Sequence, residues 1–249
     1  MDLLSLLVIF VTGIIGSSFG TLVGGTSLIT IPLLILLGLP PHTAIGTDRL
    51  GIAGLALAGW YKFHEKGWIN YKVGLMMGIT ALAGSFLGAK LVLEIEVSVL
   101  KKVIAFATFM ILMIVVLKPG IGIEEKKPTL TRRGYGIGLS LNLLIGIYGG
   151  FYGAMAGTFM LYVLLLFFKL TFLEGTATLK IASFMMTTMA AIVFASKGAI
   201  HYPMAVVMFS GCAIGSYFGA HYSDRIGNVW IKRLFIGIVL IMGIKLLIS

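Results

Sequence analysis

Two long stretches of this chain, residues 3–41 and 134–168, carry no charged side chain. A helix needs only about 20 apolar residues to cross a bilayer's hydrocarbon core, so each stretch exceeds one ordinary crossing. Elsewhere the apolar runs are shorter and are bounded by lysine, arginine or histidine. In the first half the pattern predicts a long segment over 3–38, then spans over 44–62, 70–93 and 98–117. In the second half it predicts a long segment over 135–168, then spans over 174–196, 203–221 and 228–248. Pro32 and the Gly24-Gly25 pair argue against one continuous helix through 3–38. That segment reads instead as a helical hairpin turning near Gly24, Gly25, Thr26 and Ser27. The matching turn falls near Ala156, Gly157 and Thr158.

The two halves are related in sequence. Gly84-Ser85-Phe86-Leu87-Gly88-Ala89 recurs as Gly215-Ser216-Tyr217-Phe218-Gly219-Ala220, an offset of 131 (215 minus 84). At that offset Thr47-Asp48-Arg49 faces Thr178-Leu179-Lys180, and Lys101-Lys102 faces Lys232-Arg233, with no gap needed from Thr47 to residue 249. Upstream the offset becomes 133, and Gly16, Gly20 and Gly24 recur as Gly149, Gly153 and Gly157. Small residues at four-residue spacing line one helix face, which most simply serves close helix packing. The expected organisation is an N-terminal membrane repeat at 1–118, a basic cytoplasmic linker at 119–134 and a C-terminal membrane repeat at 135–249.

Composition places the whole chain in the bilayer. Of 249 residues, 59% are hydrophobic and 11% charged, and mean hydropathy is +1.06, far from globular averages. The first apolar stretch lacks a basic leader and runs past any plausible cleavage point, so it is expected to remain as structure. A formal charge of +10 in a soluble protein would suggest nucleic acid. Here the basic residues lie between apolar segments and set membrane orientation instead, so no nucleic-acid partner is expected. Cys212 is the only cysteine, which rules out an intrachain disulfide and a cysteine metal cluster. No metal or other cofactor is inferred, and homo-oligomerisation is left open.

Charge placement bears on the hairpins. If each long segment returns to its starting side, each repeat crosses an odd number of times and the repeats are inverted. Cations such as Lys62, Lys66, Lys126, Lys127, Arg132 and Arg133 then share one side, roughly twelve against five. A single crossing by each long segment gives a weaker bias, nearer ten to seven. The expected fold is therefore all-α and polytopic: two inverted repeats, each a glycine-interrupted hairpin plus three transmembrane helices. The expected location is the cell membrane, with both termini outside the cytoplasm.

Candidate chemistry concentrates at the second span of each repeat. Asp48 and Arg49 lie in apolar sequence, and Lys180 holds the equivalent place. Each such charge costs about 2.5–3.5 kcal/mol near a helix centre, so three of them call for an explanation. One is an ion pair, Asp48 with Arg49 or Lys180, that fastens helices together. The other is an anion site about a pseudo-two-fold axis, where broken helices meet as in transporters. Half-helix N-termini carry about +0.5 charge and free N–H groups. Gly24, Gly25, Thr26, Ser27, Gly157 and Thr158 would form the turns there, with Thr47 and Thr178 beside the cations. Asp48 is the candidate for proton coupling, ahead of Glu174 and His42. His64, His201, His221, Trp60, Trp68 and Trp230 fit interfacial positions.

Residues 24–32, Gly-Gly-Thr-Ser-Leu-Ile-Thr-Ile-Pro, followed by Ala44-Ile45-Gly46-Thr47-Asp48-Arg49-Leu50, resemble the TauE/SafE sulfite exporter family. The second copy, 149–158 followed by Thr176-Ala177-Thr178-Leu179-Lys180, is similar to it as well. The resemblance implies a plasma-membrane carrier of eight segments for sulfite, sulfonates such as sulfoacetate, or other small anions, commonly an exporter. An intramembrane enzyme is the main rival. Yet neither a Gly-x-Ser-Gly serine setting nor His-Glu-x-x-His is present, and only nine acidic residues exist for phosphoryl chemistry. A passive anion channel shares the same expected symmetry.

Overall fold

The computed structural model describes residues 3–100, 102 and 132–223. Most of the predicted span over 98–117, the span over 228–248 and nearly all of the linker lie outside these residues. The described chain forms two sets of four helices, with no strand. The first set is α1 (Leu3–Val23), α2 (Ser27–Leu36), α3 (Pro41–Glu65) and α4 (Tyr71–Leu93). The second is α5 (Arg132–Phe151), α6 (Ala156–Phe167), α7 (Phe172–Ser196) and α8 (Tyr202–His221). Among the described residues five helices, α1, α4, α5, α7 and α8, are long and apolar enough to cross a membrane. α3 equals α7 in length, 25 residues each, but carries His42, Asp48 and Arg49.

Each long uncharged stretch is broken, as predicted. Gly24 and Gly25 adopt φ of 77° and 85°, a region closed to most residues with a Cβ, and α1 ends there. The chain then folds back: Thr26 Oγ1 donates to Gly16 O at 3.2 Å. The second break lies at 152–155 rather than at the predicted 156–158. Gly153 (φ 72°) and Met155 (φ 64°) supply the left-handed residues, whereas Gly157 already sits in the first turn of α6. The sequence offset had matched Gly157 to Gly24 by spacing, but backbone sign, not spacing, decides where a helix stops. The resulting α2 and α6, with 10 and 12 residues, are about 15 and 18 Å long, near half a hydrocarbon core.

Helix ends follow ordinary rules. Pro41 occupies the first position of α3, where its missing N–H costs nothing, so α3 starts three residues before the predicted 44. Thr171 and Glu174 form a reciprocal capping box at α7, which accounts for one of the predicted coupling candidates as a helix cap.

Packing is exchanged between the sets. α1 lies along α8 and α5 along α4; α3 packs on α8 and α7 on α4; α3 and α7 touch each other. The repeated Gly-Ser motif makes these contacts. A Cβ on Gly88 would lie 1.8 Å from Ile147 O, and one on Gly215 2.1 Å from Ile14 O, so backbones meet directly. Ser85 Oγ donates to Met186 O and Ser216 Oγ to Leu55 O, both at 2.7 Å. Donors and acceptors alike are 131 residues apart (216 minus 85, 186 minus 55).

Candidate functional site

The exchanged packing brings both breaks to one place. A Cβ on Gly24 would fall 2.8 Å from Thr158 N and 3.4 Å from Gly157 C, so the α1–α2 turn abuts the start of α6. Neither α2 nor α6 has a side chain capping its first turn, unlike α4, α7 and α8. Helix positive ends without a side-chain cap therefore gather around a cavity of about 40 Å³.

From the first break, Gly24, Gly25, Thr26 and Ser27 line this cavity, and from the second, Gly153 and Gly157. Its opposing walls are α3 and α7. On α3, Arg49, Ile52 and Leu55 follow one another at i, i+3 and i+6; on α7, Lys180, Ser183 and Met186 do the same. Thr187 adds to the α7 wall.

Arg49 is 1% exposed and fully engaged on one side. It pairs with Asp48, and its Nη2 donates to Ser27 Oγ at 2.9 Å and to Tyr152 O at 3.2 Å. Nη1 donates to Gly149 O at 3.2 Å. Gly153 permits this, since a Cβ there would sit 2.0 Å from Nη1. Nε alone is buried without a partner. Asp48 is fully buried and accepts from Ser27 Oγ at 2.8 Å and from Thr30 Oγ1.

Lys180 stands differently. It is 2% exposed, and its Nζ donates to Thr21 O at 2.7 Å. No carboxylate among the described residues pairs with it. Both cations thus reach carbonyls in the last turn of the interrupted helix of the opposite set, a favourable place for positive charge. Of the two, Arg49 alone has a counter-ion among the described residues.

The sequence-predicted residues divide accordingly. Arg49, Lys180, Gly24, Gly25, Thr26, Ser27 and Gly157 line the cavity, Thr158 lies against Gly24, and Asp48 stands behind Arg49. Thr47 and Thr178 are not in the lining. Thr47 Oγ1 accepts from His201 N at 3.0 Å and Thr178 Oγ1 from Asn70 N at 2.9 Å, at the starts of α8 and α4. His42 Nε2 lies 2.9 Å from Val92 O. Ile52, Leu55, Ser183, Met186 and Thr187 were not singled out from sequence. Their signal was available, because they continue the face of Arg49 and Lys180 by one and two turns.

Interrupted apolar helices meeting at buried cations, in a body of membrane-length helices, define a multi-pass membrane transporter. The comparisons agree. The profile of the family described as Sulfite exporter TauE/SafE matches residues 7–246, and the chain belongs to that family. A "Probable membrane transporter protein" of Haemophilus influenzae is 28% identical over 99% of this chain and 95% of its own length. One from Sinorhizobium sp, "Probable membrane transporter protein ORF9", is 30% identical over 96% of this chain and 91% of its own. "Probable membrane transporter protein YdhB" of Bacillus subtilis is 28% identical over 98% of this chain and 100% of its own. No solved structure matches the chain.

Proposed function

We propose that the protein is a secondary transporter that exports a small sulfur-containing or organic anion, of the sulfite, sulfonate or sulfoacetate kind, through the cavity between the two helix breaks. The observation that carries this reading is Lys180, a buried cation at the cavity wall with no carboxylate partner among the described residues. A buried charge is tolerated when it is paired, and an anionic ligand would complete the pair. The helix starts of α2 and α6 favour the same sign of ligand. The two sets, with their swapped packing, would act as inverted repeats rocking about this site, each exposing it to one side in turn.

Purified protein in proteoliposomes is expected to give saturable efflux of a small sulfonate, lost in Lys180→Met. Non-saturating flux would favour a passive channel. Saturable flux untouched by Lys180→Met would remove the cavity from the pathway.

A further inference from the structure

The cavity walls are matched in position but not in chemistry. At the 131 offset Ile52 corresponds to Ser183, Leu55 to Met186 and Ala56 to Thr187. The α3 wall beyond Arg49 is therefore hydrocarbon, while the α7 wall beyond Lys180 is hydroxylated. Ser183 is 8% exposed, and its Oγ donates to no group among the described residues. Thr187 spends its hydrogen on Ser183 O at 2.8 Å, so Ser183 is the hydroxyl left for a ligand. Lys180 has three donor hydrogens and directs one to Thr21 O.

Charge counts in the same direction. Asp48 neutralises Arg49, which leaves Lys180 as the one unmatched cation among the lining residues described. A singly charged ligand balances it; a dianion would bury one negative charge without a partner. The cavity is small, about 40 Å³, which suits an oxyanion head with a short substituent.

We infer that the ligand is a short amphiphilic monoanion, an oxyanion head held by Lys180 and Ser183 and an apolar body of one or two carbons lying against Ile52 and Leu55. This rests on the cavity being the anion site. A sulfonate and a carboxylate share this chemistry, and the test separates them.

The test is thermal stabilisation and calorimetric titration of the full chain in detergent. Its probes are methanesulfonate, ethanesulfonate, acetate, propionate, nitrate and sulfate. Ethanesulfonate or propionate is expected to bind at least about tenfold more tightly than nitrate or sulfate, since a dianion or a bare oxyanion leaves the hydrocarbon wall or the charge unmatched. Whichever of those two leads identifies the head group. Ser183→Ala is expected to weaken that ligand about tenfold, the scale of a hydrogen bond to a charged group. Ile52→Ser is expected to shift the ranking toward nitrate. Sulfate binding as tightly as the organic monoanions would overturn the inference while leaving an anion site in place. An Ile52→Ser protein that folds with its ranking unchanged would do the same. Absence of binding by every probe would remove both the inference and the proposed function. Should either variant fail to fold, the ranking on the unaltered protein still decides.

Discussion

A cation buried among apolar helices is costly unless an anion or several acceptors answer it, and Arg49 and Lys180 meet that cost in different ways. Arg49 has Asp48 and three oxygen acceptors. Replacing it with Gln would leave Asp48 at 0% exposure with only the Ser27 and Thr30 hydroxyls. Arg49→Gln is therefore expected to lose about 3–5 kcal/mol of stability, visible as a lowered melting temperature in detergent. Asp48→Asn combined with Arg49→Gln should recover most of that loss. If the recovered double variant also transports normally, Arg49 is a fastener and makes no contact that the anion needs. Lys180 predicts the opposite sign. Removing an unmatched buried charge costs little beyond one hydrogen bond to Thr21 O. Lys180→Met is thus expected to melt within about 1 kcal/mol of the unaltered protein, or above it, while flux is lost. A Lys180→Met protein as unstable as Arg49→Gln would mean that Lys180 is ion-paired within the chain.

At the scale of elements, the small-residue motif fixes how close the helices come. A Cβ on Gly88 would meet Ile147 O at 1.8 Å, and a backbone oxygen in a helix cannot yield as a side chain can. Gly88→Val is expected to separate α4 from α5 and abolish a monodisperse peak in size-exclusion chromatography. Gly136, in α5 with nothing within 4 Å of its would-be Cβ, provides the control: Gly136→Ala should be neutral or gain up to about 1 kcal/mol from helix propensity. Equal behaviour of the two variants would show that the Gly88 contact is not tight. The same distinction explains what could be read from sequence. Unbroken apolar runs announce helices, and Gly24-Gly25 announced the first break, because their backbone preference is local, whereas Pro32 sits inside α2 without ending it. The second break was placed three to four residues late because Gly153 and Gly157 are equally glycine in the sequence. Only the fold shows which one takes positive φ. Arg49, Lys180 and the first turn were legible as candidates and do line the cavity, since buried charge is rare enough to stand out. Thr47 and Thr178 stood beside them in sequence, yet a helix turns each residue about 100° from its neighbour, and they face the starts of α8 and α4. Ser183 and Ile52 carry a weaker signal, the helical spacing that continues the faces of Lys180 and Arg49. A serine and an isoleucine are unremarked in any apolar helix, and their meaning comes from lying one turn beyond a cation on facing walls.

For the whole molecule, orientation and direction of transport follow from where charge lies. The basic residues 126–133 and the cations at the end of α3 are expected on the cytoplasmic side, with Ser249 outside, because only inverted repeats give the favourable count. Reporter fusions at Ser249 and at Lys127 measure this, and a cytoplasmic Ser249 would break the inverted arrangement. Direction depends on the charge moved. An inside-negative membrane potential favours exit of a monoanion by about 2.3 kcal/mol per 100 mV, which is roughly a fiftyfold gradient. Export therefore needs no second ion, provided the anion crosses with its charge uncompensated. Asp48 bears on that proviso, because its carboxylate is held by Arg49, Ser27 and Thr30. Proteoliposomes loaded with ethanesulfonate and given a potassium diffusion potential through valinomycin are expected to release it faster when the interior is negative. Reversing the potential should drive uptake, and a protonophore should change neither rate once the potential is clamped. Flux that ignores the potential but follows an imposed proton gradient would mean electroneutral coupling, with the Asp48–Arg49 pair opening to take up a proton in each cycle. The Asp48→Asn, Arg49→Gln double variant, which keeps the buried charge balanced, would then lose the response to the proton gradient, whereas in the electrogenic scheme any flux it retains should still follow the voltage.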